Sequence, residues 1–432
     1  MHIYFSGIGG TAIGPLALIA KQAGFVVSGS DKQASQYIDY LKKKGVTNIH
    51  IGQSSQQIAA VHNNMPIDWL VYSTAVTLEN SRPPELVFAE KNKIKSTERS
   101  ELINFILQQK KLKMVGIAGT HGKTTTTAMV IWLCQQVGLP ISHSVGAKMS
   151  FGDMGHYTAG SKYFIYEADE FARNFLAFNP YLSIVTGVSW DHHEIFPTRE
   201  DYQSAFREYI SQSQRTILWQ EDFDYLQLDS PANLIVFDSD SPIIELIQLK
   251  GRYNRLDAWL AVQAVHRLSD QPIGKLVRYV NYFPGLSRRM ERLKKNLFSD
   301  YAHTPEKIRG AMSVATEMAA VNNQPLVVVY EPLTNRRQHF VKDEYKDCFE
   351  GAAQVYWLPS YLAREDPKQK LLKPAELIAH LDNPSLAIPQ KKDAQLINII
   401  REHLKDNAMV VAMCGGGGDS LDEWLRQNLK KF

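Results

Sequence analysis

The sequence predicts an α/β protein of three domains: an N-terminal Rossmann-like domain, a central P-loop domain of the ATPase type on a parallel sheet, and a C-terminal Rossmann-like domain. Three observations predict this. Apolar, β-type runs alternate with helical stretches along the whole chain. Glycine-rich strand–turn–helix junctions stand at residues 7–12 and 119–124, in the form that brings backbone N–H groups onto phosphates. And 432 residues exceed what one core normally serves. The expected domains are residues 1–108, 109–290 and 291–432.

Residues 3–5 read as a strand, followed by Gly7-Ile8-Gly9-Gly10-Thr11-Ala12 and a helix. A second strand, 25–31, ends in Asp31. Gly7, Gly9 and Ala12 fit G-x-G-x-x-[G/A], and Asp31 stands where an acid meets a ribose. The pattern reads as an NAD site, as a site for another nucleotide pyrophosphate, or as tight helix–strand packing alone. Residues 35–45 look helical, 46–51 a short strand, and 68–76 a strand ending in Ser73 and Thr74. A strand turns into a helix within 93–110 at Arg99, which either meets a phosphate or carboxylate or sits in solvent.

Residues 114–118 form an apolar strand, and Gly119-Thr120-His121-Gly122 the turn after it. Lys123 and Thr124 open a helix. The spacing G-x-x-x-x-G-K-[ST] fails, because Ile117 takes the first glycine's place, and a shorter A-G-T-H-G-K-T remains. Lys123 can reach β- and γ-phosphates, and the Thr124 hydroxyl can ligate Mg²⁺. Residues 145–160 read as loop. A strand over 163–170 should end in Glu167, Asp169 and Glu170, and one over 180–188 should lead to Asp191, His192 and His193. Thr124, Glu167 and His192 would then share one rim of a parallel sheet, where metal ligands or a base are placed.

Residues 249–268 read as a loop entering an amphipathic helix, with Asn254 able to meet a purine or cap the helix. Arg288 and Arg289 can clamp phosphates or form a solvated hinge. A third αβ unit starts at 297, a strand over 325–339 should end in Arg336 and Arg337, and a strand over 409–414 runs into Gly415–Gly418 and Asp419-Ser420.

Hydrophobic content of 44% with 22% charged residues describes a soluble globular chain. A net charge of +3 without a basic stripe gives no reason to expect a nucleic-acid partner. No apolar run reaches membrane-spanning length, and no leader pattern opens the chain. Three cysteines without C-x-x-C spacing suit reduced thiols and a cytoplasmic location.

In chain order, the fingerprint 6–31, AGTHGKTTTT (118–127), EADE (167–170), DHH (191–193), GRYN (251–254), GLSRRME (285–291), DYAHTPE (300–306) and CGGGGDS (414–420) are similar to the Mur ligases. These are ATP-dependent amino-acid ligases of bacterial cell-wall synthesis, and the resemblance spans all three domains. It implies that the first glycine unit holds the UDP of a sugar substrate instead of NAD, with Gly9, Gly10, Asp31 and Ser73 as contacts. It puts ATP phosphates on Gly119, Thr120, His121, Gly122, Lys123, Thr124 and Thr125, and the rest of the nucleotide on Asn254, Arg289 and Asp300. Mg²⁺ would be held by Thr124 and Glu167, and a second ion by His192. Arg99 and His121 would face the muramate, and Tyr301, His303 and Arg337 the amino acid. Lys123, His192, His303 and Arg337 are the catalytic candidates.

Within the family, the Gly-Thr-His loop and EADE most resemble the branch that joins L-alanine to UDP-N-acetylmuramate through an acyl phosphate, in peptidoglycan synthesis. RRME is similar to a recycling branch that adds a tripeptide. Such an enzyme is expected to be a cytoplasmic monomer or weak homodimer. Two features depart from the family pattern. Arg207 stands where several members carry a carbamylated lysine, and EPLTNRR lacks the His-Arg pair of the alanine branch. A nucleotide- or NAD-binding protein without ligase activity is the alternative of another class, and it leaves the strand-end acids and His192 without a task.

Overall fold

The computed structural model describes residues 1–73, 76–77, 80, 82–192, 195–229, 232–362 and 365–432. Thr74 and His193 lie outside the described residues. The described residues form three sheets, each with helices connecting mostly parallel strands.

The first sheet has the order β3-β2-β1-β4-β5, all parallel: β1 His2–Ser6, β2 Val26–Asp31, β3 Ile49–Ile51, β4 Trp69–Tyr72 and β5 Lys95–Glu98. Strand order reverses between β1 and β4, and loops after such strands open a crevice at their C-terminal ends. The loop 7–10 and Ser73 stand there. The helix Ile13–Gln22 is buried continuously from Ile13 to Ala20, so it is covered on more than its sheet face. Its other cover is the second sheet: a Cβ on Gly155 would lie 2.3 Å from Pro15 O.

The second sheet has the order β12-β11-β10-β6-β9-β7-β8. Its strands are β6 Lys113–Ala118, β7 Ile141–Ser144, β8 Gly155–His156, β9 Tyr163–Glu167, β10 Leu182–Val185, β11 Thr216–Trp219 and β12 Leu234–Phe237. Only β7 and β8 pair antiparallel here. Ile117 pairs with Glu167 and Ala118 with Val185, so β6, β9 and β10 end at one level. The third sheet, β13-β14-β18-β15-β16-β17, has β13 Glu291–Lys294, β14 Leu297–Asp300, β15 Leu326–Glu331, β16 Gln354–Trp357, β17 Ala387–Pro389 and β18 Met409–Cys414. Central β18 and β15 are buried along their whole length, which explains their unbroken apolar runs.

The chain forms two compact units, residues 1–247 with 256–283, and residues 248–255 with 284–432. The first two sheets share the first unit, and one apolar cluster runs through both.

Several sequence expectations change at element ends. The strand expected to reach Arg336 and Arg337 stops at Glu331, and both arginines lie in the helix Asn335–Val341. Pro332 has no N–H for a sheet, and Thr334, at φ +54°, turns the chain and caps the helix by accepting the Arg337 N–H. The strand 163–170 ends at Glu167, which leaves Asp169 and Glu170 in the following turn. The strand 68–76 ends at Tyr72 and the strand 180–188 at Val185. The supposed loop 145–160 contains β8.

Candidate active site

The loop after β6 is bent by two glycines in the left-handed region, Gly119 at φ +143° and Gly122 at φ +78°. A Cβ on Gly119 would lie 2.3 Å from Thr186 Oγ1, and one on Gly122 2.5 Å from Asp257 Oδ1. Neither position admits another residue, which fits a cradle whose backbone closes on phosphates. The loop is laced to the segment after β10. Thr120 N–H donates to Gly187 O at 2.8 Å, and its hydroxyl donates to Ser189 O at 2.8 Å. The Thr186 hydroxyl donates to His121 O, and His121 Nε2 lies 3.4 Å from Ser189 Oγ. Thr125 completes the first turn of the helix Lys123–Gln136.

Lys123 folds back on its own loop. Its Nζ lies 2.5 Å from Gly119 O and 2.7 Å from Glu170, whose side chain is 1% exposed. Burial opposes the Lys123 charge, but Glu170 and then Asp169 outweigh it and raise its pKa. Burial also opposes the Glu170 charge, and Lys123 foremost holds that carboxyl below the ordinary glutamate value. Thr124 Oγ1 donates to Glu167 Oε1 at 2.7 Å, and Gly146 N–H to Glu167 Oε2 at 2.8 Å. His192, at φ +56°, directs Nε2 toward Glu170 at 3.6 Å. Arg99 lies 3.6 Å from Asp169, so the helix it opens reaches the same acidic turn.

Around the first glycine turn, Gly7 and Ile8 N–H both donate to Ser30 O at 2.9 Å, and Gly10 N–H to Gly7 O at 3.1 Å. Gly9 N–H donates to Asp31 Oδ2 at 2.8 Å, so Asp31 holds the loop backbone here. Ser73 N–H donates to Ser6 O at 3.2 Å, beside Gly7. Below the turn, buried Glu85 accepts from the hydroxyls of Tyr4, Ser6 and Ser30 at 2.7, 2.5 and 2.6 Å.

The second unit carries its own cluster. Arg288 donates to Gly416 O and Cys414 O at 3.0 Å and to Gly415 O at 3.2 Å, so it holds the glycine-rich loop. Arg288 and Arg289 both lie over the Tyr301 ring, at 4.6 and 5.1 Å. Asp300 accepts Met290 N–H at 2.8 Å and Ala302 N–H at 2.9 Å, and burial above all raises its pKa. His303 is 3% exposed, with Nδ1 2.7 Å from Tyr301 O. A carbonyl only accepts, so Nδ1 carries the proton. Burial, then Lys307 and Arg337, drive the His303 pKa far down and keep the ring neutral among cations. Asn254 is the third residue of the helix Arg252–Ser269 and donates to Lys250 O at 2.8 Å, so it does not cap that helix.

Among the described residues no group of three or more His, Cys, Asp or Glu side chains is arranged to hold a metal ion. The Thr124–Glu167 pair supplies one hydroxyl and one carboxylate, which fits Mg²⁺ that completes its shell from phosphate and water. For the second ion the donors among the described residues do not fit. His192 faces Glu170, and that carboxylate is already neutralised by Lys123. Arg207 pairs instead with Glu200 and Leu226 O. Sequence reasoning missed Glu170 as the lysine's partner, though EADE had exposed it as a strand-end acid. It also missed Lys307, Asp257 and the Thr186–Ser189 lacing, for which no local pattern gave a signal.

A glycine-bent loop joining a central parallel strand to a helix, with a lysine and a strand-end acid converging on it, defines an α/β P-loop nucleotide-binding protein. Residues 2–111 match the Mur ligase family, catalytic domain, and residues 117–237 the Mur ligase middle domain. The chain belongs to the Mur ligase family. It is similar to the UDP-N-acetylmuramate–L-alanine ligase of Lachnospira eligens, 30% identical with 84% of each chain covered. It is also similar to that of Acetivibrio thermocellus, at 28% identity over 97% of this chain and 93% of the relative. Its fold is similar to the crystal structure of UDP-N-acetylmuramate-alanine ligase MurC from Thermotoga maritima, with a TM-score of 0.75 and 22% identity over 100% and 99% of the two chains. A murein peptide ligase from Psychrobacter arcticus superposes with a TM-score of 0.66 and 20% identity, over 100% and 98%.

Proposed function

We propose that the protein is an ATP-dependent ligase that joins L-alanine to UDP-N-acetylmuramate in cytoplasmic peptidoglycan synthesis. The observation that carries this is the convergence of Lys123, Thr124, Glu167 and Glu170 on the bent loop 119–125, in a chain whose relatives are named for that reaction. The first glycine turn, with Gly9, Gly10, Asp31 and Ser73, holds the UDP part through backbone N–H groups. ATP phosphates lie on Gly119–Thr125, and Lys123 leaves Glu170 to neutralise them. Thr124 and Glu167 would hold Mg²⁺, which would supply charge neutralisation at those phosphates.

The muramate lactyl carboxylate, oriented by Arg99 and His121, attacks the γ-phosphorus, and ADP leaves. The product is an acyl phosphate, in which phosphate is a good leaving group. The L-alanine amine attacks the acyl carbon, a C–N bond forms, and phosphate departs with the electron pair. The cations around His303, namely Lys307, Arg337 and Arg289, suit the amino-acid carboxylate, and Tyr301 flanks them. Neutral His303 contributes a hydrogen-bonding nitrogen without adding charge. Asn254, Arg289 and Asp300 meet the remainder of the nucleotide. We assign residues 1–108, 109–290 and 291–432 to the sugar-nucleotide, ATP and amino-acid domains.

Phosphate release with ATP, Mg²⁺ and UDP-N-acetylmuramate, screened across L-alanine, glycine, L-serine and the tripeptide, tests this reading. Release that requires L-alanine is the expected result. Turnover with the tripeptide alone would overturn the amino-acid assignment.

A further inference from the structure

The short segment 248–255 groups with the second compact unit, although the residues on both sides of it group with the first. One side chain takes three of its contacts. Glu317, near the end of the helix Pro305–Val321, accepts the Gly251 N–H on Oε2 at 2.7 Å. The same oxygen takes Arg255 Nη1 at 3.2 Å, and Oε1 lies 3.6 Å from Lys250 Nζ. Arg255 also donates back to Leu249 O at 3.2 Å. Gly251 is seated against the same helix. It sits at φ +83°, and a Cβ there would be 2.4 Å from Val314 Cγ2. Only glycine can approach so closely in that conformation.

Asn254 belongs to this clasped turn, since its amide donates to Lys250 O. The helix that carries Glu317 begins at Pro305, two residues after His303 and five after Asp300. We infer that Glu317 is a positioning residue for nucleotide binding. It fastens the segment bearing Asn254 to the helix that follows Asp300 and His303, so that these groups move together. This rests on the proposed role of Asn254 as a nucleotide contact. Glu317 itself touches no reacting group.

The test uses the full-length protein and the variants Glu317→Ala and Glu317→Gln. The amide exchange rate of Gly251 reports the clasp, and calorimetric binding of Mg·ADP and of UDP-N-acetylmuramate reports its consequence. Glu317→Ala should expose the Gly251 amide and weaken Mg·ADP roughly tenfold, with UDP-N-acetylmuramate affinity within about twofold of the parent. Glu317→Gln keeps an acceptor for the Gly251 N–H and should recover most of the loss. Unchanged Mg·ADP affinity in Glu317→Ala, despite faster Gly251 exchange, would overturn the inference. So would an equal loss for both ligands, which marks general destabilisation. A parent protein that binds no Mg·ADP while Gly251 stays protected would refute the ligase reading, and the clasp would remain as geometry only.

Discussion

The two glycine turns of the first unit share one grammar and differ in chemistry. Each follows a central parallel strand, bends at glycine of positive φ (Gly7 in the first, Gly119 and Gly122 in the second), and leads into a helix. Each also has a carboxylate against its second glycine: Asp31 beside Gly9 and Asp257 beside Gly122. Asp31 is half-buried and accepts a backbone N–H, whereas Asp257 is buried and pushed up to about 7 by desolvation. The first turn has no lysine at its helix start and relies on main chain. The second adds Lys123, Thr124 and two acids from the end of β9 and the turn after it. A backbone cradle suffices to hold a pyrophosphate that does not react. Moving a phosphoryl group needs positioned charge as well.

Removing that charge tests the contrast most severely. Lys123→Ala should lower phosphate release by about three orders of magnitude, as measured in the coupled reaction, while UDP-N-acetylmuramate binding in calorimetry stays unchanged. Surviving turnover would break the distinction between the turns. Glu170→Gln should lower unfolding free energy by about 3 kcal/mol near neutral pH, because it leaves Lys123 buried without its partner. The folded pKa of Glu170 is depressed, so its contribution is complete above its ordinary value of 4.5 and is lost as pH falls through the folded value. Denaturation midpoints of parent and variant should therefore converge in acid, as pH falls through that depressed value.

The third test touches only the first turn. A Cβ on Gly9 would press within 2.9 Å of Asp31 Oδ2 and 3.1 Å of Ile38, so Gly9→Ala should raise KM for the UDP-sugar about tenfold and leave Mg·ADP binding alone. The smallest effect concerns Asp257. Between its ordinary 3.8 and its folded value of about 7, the folded state keeps a proton that the unfolded chain has lost. Stability therefore falls as pH rises through that window and levels off above it. Asp257→Asn should gain about 1 kcal/mol at pH 8, less than full linkage because a buried amide keeps part of the desolvation cost. Thermal unfolding at pH 4 and pH 8 measures the gap, which should be near zero at the lower value.

What the sequence made legible was local. The glycine turns, Lys123, Thr124 and the EADE acids are readable because each depends on spacing within one strand–turn–helix junction. Which acid pairs with Lys123 depends on how β9 ends at Glu167, which leaves Glu170 in the turn. Arg336 and Arg337 were expected at a strand end because 325–331 is so apolar, yet Pro332 and the Thr334 turn start a helix first. The grouping of 248–255 with the second unit could not be read, because its anchor, Glu317, lies more than sixty residues further on. Long-range partners leave no period in the sequence.

The fold-back of Lys123 onto Glu170 also bears on turnover. The Lys123 ammonium has an internal counter-ion in Glu170. On the proposed assignment, nucleotide arrival exchanges one anion for another at the same ammonium, and product departure is the reverse exchange. Glu170 then competes, on the proposed assignment, with ADP for Lys123. On that assignment Glu170 would favour release of spent nucleotide.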